Sequence, residues 1–202
     1  MRVSLGSMIR RFGRNRDDGT QRDCRGGRFV AIIGCIANQN LRDDGAASFP
    51  AMNLALLSLC NQAGVGIHQM PCPEIVVLGF NRTRRPGTTI RQALETEEAR
   101  RACADLATSV AGQLQASIDT GAELLAVLGG NMASPGCAVL GEEKRLDPAS
   151  GVFMLALQTE LLRRGIAVPF RGVRDVSPEL LDQDLAWLKT LFESGTDCAP
   201  GA

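Results

Sequence analysis

The sequence predicts an α/β protein, a three-layer sandwich built on a mostly parallel sheet, and two observations predict it. Short runs rich in β-branched residues alternate with longer segments whose apolar residues recur at helical spacing. Three of those short runs lead into a cysteine, which puts chemistry-bearing residues where strands of such sheets end.

The first element is RFVAIIG, residues 28–34, a buried strand closed by glycine. A loop through QNLRDDGAA leads to a helix that Ser48 can cap. Pro50 stands in its first turn, Leu54, Leu57 and Cys60 recur at helical spacing, and Gly64 ends it. VGIHQM is the second strand, followed by an irregular stretch containing GFNRTRRPGTT. Residues 91–120 carry the longest helical signal, with Leu106, Val110, Leu114 and Ile118 repeating every four positions. AELLAVLGG, residues 122–130, is the third strand. FMLALQTELLRRG is a helix ending in two arginines and a glycine, as the helix dipole and a left-handed cap favour. IAVPF is the fourth strand, and Ser177-Pro178 open a last helix that buries Leu181, Leu185, Leu188 and Phe192. Strands alternating with helices imply right-handed parallel crossovers and hence a Rossmann-like sheet.

The chain divides into an arginine-rich tail (residues 1–27), one α/β domain (28–195) and a flexible tail (196–202). Residues 1–28 hold eight arginines against three aspartates, and the segment RRFGRNRDDGTQRDCRGGR has almost nothing apolar to bury, so it reads as disordered. Net charge is zero, and the body of the chain gives nucleic acid no support as a partner. No apolar run approaches the roughly 20 residues of a membrane span, and the start lacks a secretory pattern; the expected address is cytoplasmic.

Seven cysteines is a high count for a reducing compartment, and an odd number argues against a complete disulfide framework. Cys24 and Cys198 lie in the tails, while Cys60 and Cys103 sit in apolar helical patterns as small hydrophobes. Cys35, Cys72 and Cys137 remain, each following a different strand, so all three face one edge of the sheet. Three thiols without a fourth suggest a ligand set with an open position, for zinc with a bound water or for a 4Fe-4S cluster with one free iron. Ordinary loop cysteines are the plainer alternative. Pro71 and Pro73 fix φ on both sides of Cys72, and Pro135 does similar duty near Cys137. Glu74, Ser134, Asp43 and Asp44 lie close to these thiols in sequence, and a carboxylate beside a metal-bound substrate is placed for proton transfer. Asp44-Gly45 also reads as a plain turn. Arg82, Arg84 and Arg85 are candidates to clamp an anionic substrate, or a solvated loop. His68, the single histidine, reads as a hydrogen-bonded core residue or as a donor near the site.

The blocks GCIANQNLRDDG, MPCPEIVVLG and SPGC, in that order across roughly residues 28–175, resemble the thiouracil desulfidase family, and LGFNRTRRPG and GEEKRLDPASGVFMLALQTELLRRGI look most like a divergent branch of it. The resemblance implies a 4Fe-4S cluster on Cys35, Cys72 and Cys137, sulfur leaving a thiocarbonyl as hydrosulfide, Glu74 as acid/base and Ser134 as a polar partner near the substrate or cluster. The expected partner is a small thiolated molecule, a thiouracil-like base or a thioamide. A non-enzymatic metal-binding or redox-sensing module using the same cysteines, with a cluster or zinc, is the alternative. Two departures stand out. The family's Arg-Tyr-Asp-Gly is Arg42-Asp43-Asp44-Gly45 here, a charge in place of a stacking aromatic, and its Ser-Pro-Ser-Cys-Gly is Ser134-Pro135-Gly136-Cys137-Ala138. With no tyrosine in the chain, Phe80 or aliphatic groups would have to wall a base pocket.

Overall fold

The structure is a computed structural model that describes residues 24–142 and 145–194. Of the predicted tails, residues 1–23 and 196–202, with Cys198, lie outside the described residues, and 24–27 are exposed and irregular. The main sheet holds β1 (Arg28–Ile33), β2 (Val65–Met70), β3 (Glu123–Gly129) and β6 (Phe170–Gly172), all parallel, in the order β2-β1-β3-β6. A small antiparallel hairpin, β4 (Gly141–Glu142) with β5 (Arg145–Leu146), stands apart from it. Val30 to Ile33 and Ala126 to Leu128 are fully buried, as expected of central parallel strands covered on both faces.

Helices enclose this sheet as the predicted α/β sandwich requires. They are α1 (Gly34–Ala37), α2 (Leu54–Gln62), α3 (Pro73–Leu78), α4 (Ile90–Leu94), α5 (Glu97–Asp119), α6 (Val152–Arg163) and α7 (Pro178–Glu193). α5 packs on α6, and α2 on α7. Arg28, at the start of the central strand, donates to the carbonyls of Phe192 and Ala63 and so ties the ends of α7 and α2 to β1. Among the described residues no helix is long and apolar enough to cross a membrane.

The element boundaries differ from expectation at four places, each with a local cause. α2 begins at Leu54 under Asn53, whose Oδ1 accepts the Leu56 N–H at 3.1 Å, because Ser48 has been recruited elsewhere: its Oγ bonds Arg42 and its N–H donates to Gln39. The long helical signal splits at Thr96. Thr89 caps α4 in a reciprocal box with Gln92, and Thr96 caps α5 afresh. The fourth strand lies at Phe170–Gly172 rather than over IAVPF, since Pro169 has no N–H for the ladder and contributes only its carbonyl, to Val127. The stretch after Cys72 is helical, with Pro73 at the first position of α3. By contrast α6 ends as expected, with Gly165 in the left-handed region at φ 76°.

Candidate functional site

Every strand of the main sheet delivers a residue to one cavity at its carboxyl end. Cys35 follows β1 inside α1, Cys72 follows β2, Cys137 lies in the loop after β3, and Asp175 comes three residues after β6. Strand order runs outward from β1 on one side to β2 and on the other to β3, so the cavity opens where the chain changes direction across the sheet. Its volume is about 720 Å³, within the ~300–1,000 Å³ usual for small-molecule sites. Leu41, Phe49, Ile90, Val176 and Leu181 form much of its apolar wall.

Close backbone approach brings the loops together. A Cβ on Gly136 would stand 2.8 Å from Pro73 Cγ and 3.1 Å from Glu74 Cγ, and one on Gly130 would stand 2.7 Å from Cys137 Sγ. Glycine at both positions lets the Cys137 loop lie directly against the Cys72 turn. The loop is pinned at both ends: Gly130 N–H donates to the Cys137 carbonyl, and the Val152 and Phe153 N–H groups of α6 donate to Pro135 and Gly136.

The three thiols are 8%, 8% and 4% exposed for Cys35, Cys72 and Cys137. Burial pushes all three pKa values up, Cys137 well above its ordinary value. Arg42 opposes this at Cys35, and the Ile75 N–H, the Arg82 charge and the Glu74 N–H oppose it at Cys72. Without a cation in the cavity these groups remain neutral thiols; a metal would deprotonate them. Among the described residues no three His, Cys, Asp or Glu side chains are set to hold a metal ion as they stand. All three thiols line the one cavity.

A polar chain runs beside them. Ser134 Oγ lies 3.0 Å from Glu74 Oε1, to which it donates, and 3.1 Å from Cys137 Sγ. A hydroxyl has one proton, so with Ser134 donating to Glu74 it is Cys137 that donates to Ser134, and a proton leaving this thiol has a path to the carboxylate. The other carboxylate oxygen faces Arg82 Nε at 3.7 Å. Opposite, Arg42 grips both oxygens of Asp175 at 2.8 and 2.6 Å. Asn131 Nδ2 donates to the same carboxylate at 2.9 Å.

Of the residues singled out from sequence, Cys35, Cys72, Cys137, Glu74, Ser134 and Arg82 line the cavity. Asp44, Arg85 and His68 do not. Asp44 is exposed in the turn closed by Ala46 N–H to Asp43 carbonyl, and it is Asp43 that reaches the wall. Arg85 is exposed on its loop. His68 sits half-buried on the edge strand, its Nε2 buried without a hydrogen-bond partner and its pKa lowered by burial, so it is not the satisfied core residue expected. The terminal nitrogens of Arg82 donate to the carbonyls of Phe80 and Leu41 at 2.7 and 2.6 Å, and its buried Nε has no hydrogen-bond partner. Phe80 is 64% exposed and outside the cavity, and Phe49 is the aromatic that lines it. Arg42, Asn131 and Asp175 were not anticipated; Asp175 could have been sought by the strand-end rule that found the cysteines. Cys60 and Cys103 are core thiols, raised to about 11 by burial.

Comparison of the chain with known protein families, curated proteins and solved structures finds no match.

Proposed function

We propose that the chain is a desulfidase that removes sulfur, as hydrosulfide, from the thiocarbonyl of a small thiolated compound, with a 4Fe-4S cluster held by Cys35, Cys72 and Cys137. The observation that carries this reading is the meeting of three thiols from three strand ends in one cavity, beside a carboxylate and a hydroxyl that share a proton path. The donor set suits such a group. Three soft thiolates without a fourth suit a cluster with one free iron, and equally a zinc ion with a bound water, so the cluster is taken from the resemblance of the sequence. When bound, the cluster supplies an iron without a protein ligand, a Lewis acid for the thiocarbonyl sulfur.

The chain's own residues then have defined tasks. Water adds to the thiocarbonyl carbon, and Glu74 takes its proton. Glu74 returns that proton to the sulfur and takes the second one from the added hydroxyl as the carbonyl forms and the carbon–sulfur bond breaks, so that sulfur leaves as hydrosulfide and one proton passes from Glu74 to solvent. Ser134 and Arg82, one on each oxygen of Glu74, hold the carboxylate in place. Cys35, Cys60, Cys72, Cys103 and Cys137 are free thiols, and a cytoplasmic address forms part of this proposal.

Anaerobic reconstitution should give a brown protein carrying about four irons and four acid-labile sulfides per chain. A colourless protein retaining only zinc would refute the cluster. With a panel of thiolated bases and thioamides, Glu74→Gln should keep the iron and lose sulfide release by about 10²–10⁴-fold. Cluster binding without sulfide release from any member of the panel would favour the redox-sensing module instead.

A further inference from the structure

We infer that this cavity selects against anionic substrates, and that Asp43 is the residue that sets the selection. The inference deepens the thiocarbonyl reading and rests on it. Two guanidiniums and three carboxylates face the cavity. Both guanidiniums are occupied. Arg42, 6% exposed at its side chain, gives Nη2 to both oxygens of Asp175 and Nη1 to the Ala46 carbonyl and Ser48 Oγ. Arg82, 2% exposed, gives both terminal nitrogens to main-chain carbonyls and turns its Nε toward Glu74. Each positive charge already faces a carboxylate, Asp175 for Arg42 and Glu74 for Arg82, although the buried Arg82 Nε makes no hydrogen bond.

The third carboxylate has no such partner. Asp43 is exposed on the wall, and among the described residues its side chain makes no hydrogen bond or ion pair; only its main-chain carbonyl is engaged, by Ala46. Asp44 beside it adds charge of the same sign. An entering anion therefore meets uncompensated negative charge and no free cation, whereas an N–H or amino group finds an acceptor. The substrate class is a neutral or amine-bearing thioamide or free thiolated base, and nucleotides and thiolated nucleic acid strands are excluded.

A matched pair of ligands separates charge from size. Two pyrimidinones, one bearing a carboxamide and the other a carboxylate at the same ring position, carry oxygen in place of sulfur and cannot be turned over. Their dissociation constants are measured by equilibrium dialysis against reconstituted protein. The carboxamide should bind about tenfold more tightly at low salt, and the ratio should shrink in Asp43→Asn and reverse in Asp43→Lys. Equal or tighter binding of the carboxylate overturns the inference, as does a preference that Asp43→Asn and Asp43→Lys leave unchanged, or no binding of either ligand. Sulfide release from neutral thiolated bases is scored separately, so a charge preference without sulfide release would refute the desulfidase and leave the selection standing.

Discussion

Arg82 shows how much one residue holds at this site. It is the only described non-glycine residue in the left-handed region, at φ 44°, and one of the largest fully buried side chains. Such backbone costs about 1–3 kcal/mol and persists where the surroundings over-determine it. Here they do so through the Phe80 and Leu41 carbonyls, the Glu74 carboxylate and Cys72 Sγ at 4.0 Å. Arg82→Ala would leave two carbonyls and a buried carboxylate unpaired. It should lower the free energy of unfolding by about 3 kcal/mol, read as a fall in the urea midpoint at unchanged slope. Gly136 is the other informative residue: a Cβ there would crowd Pro73 Cγ and Glu74 Cγ, at 2.8 and 3.1 Å.

At the scale of elements, helix ends were legible where the capping side chain has no competing partner. Ser177 and Gly165 behave as their types require. Ser48 does not, because Arg42, drawn in by Asp175, competes for its hydroxyl. The end of α6 also carries a pH signature. Hydrogen bonds from Arg163 and then Arg164 hold the Glu160 carboxyl down to about 2, from an ordinary 4.5. A depressed carboxyl stabilises the fold above its unfolded pKa and loses that contribution as pH falls toward the folded one. Wild type should therefore melt above Glu160→Gln at pH 7, and the gap should narrow from pH 4.5 toward about 2, as thermal scans at successive pH values would show.

On the scale of the whole molecule, Asp175 ties three loops into one wall. Its carboxylate, with no exposed side-chain surface, receives Arg42 and Ser48 from the β1–α2 loop and Asn131 from the loop after β3. Neutralising it frees a buried arginine and loosens the loops carrying Cys35 and Cys137. In Asp175→Asn without a metal, these thiols should react with a disulfide reagent several-fold faster than in wild type, while Cys60 and Cys103, deep in helix packing, should stay slow. Peptide mapping of the labelled protein distinguishes this from global unfolding, which would speed all of them.

By itself the sequence determined the parallel sheet, the alternation of layers and the edge at which the three cysteines lie, because strand and helix periods and their glycine stops are local signals. It also placed Glu74 and Ser134 beside those thiols. Only the tertiary structure decided which charges are spent: Arg42 pairs with Asp175 across 133 positions, and Arg82 reaches the Leu41 carbonyl across 41. Nothing in the arginine-rich run announced this, since a side chain is read locally as free until the fold brings its partner. The same folding placed Asp43 on the wall in place of Asp44, for a turn of a few residues aims neighbouring side chains apart.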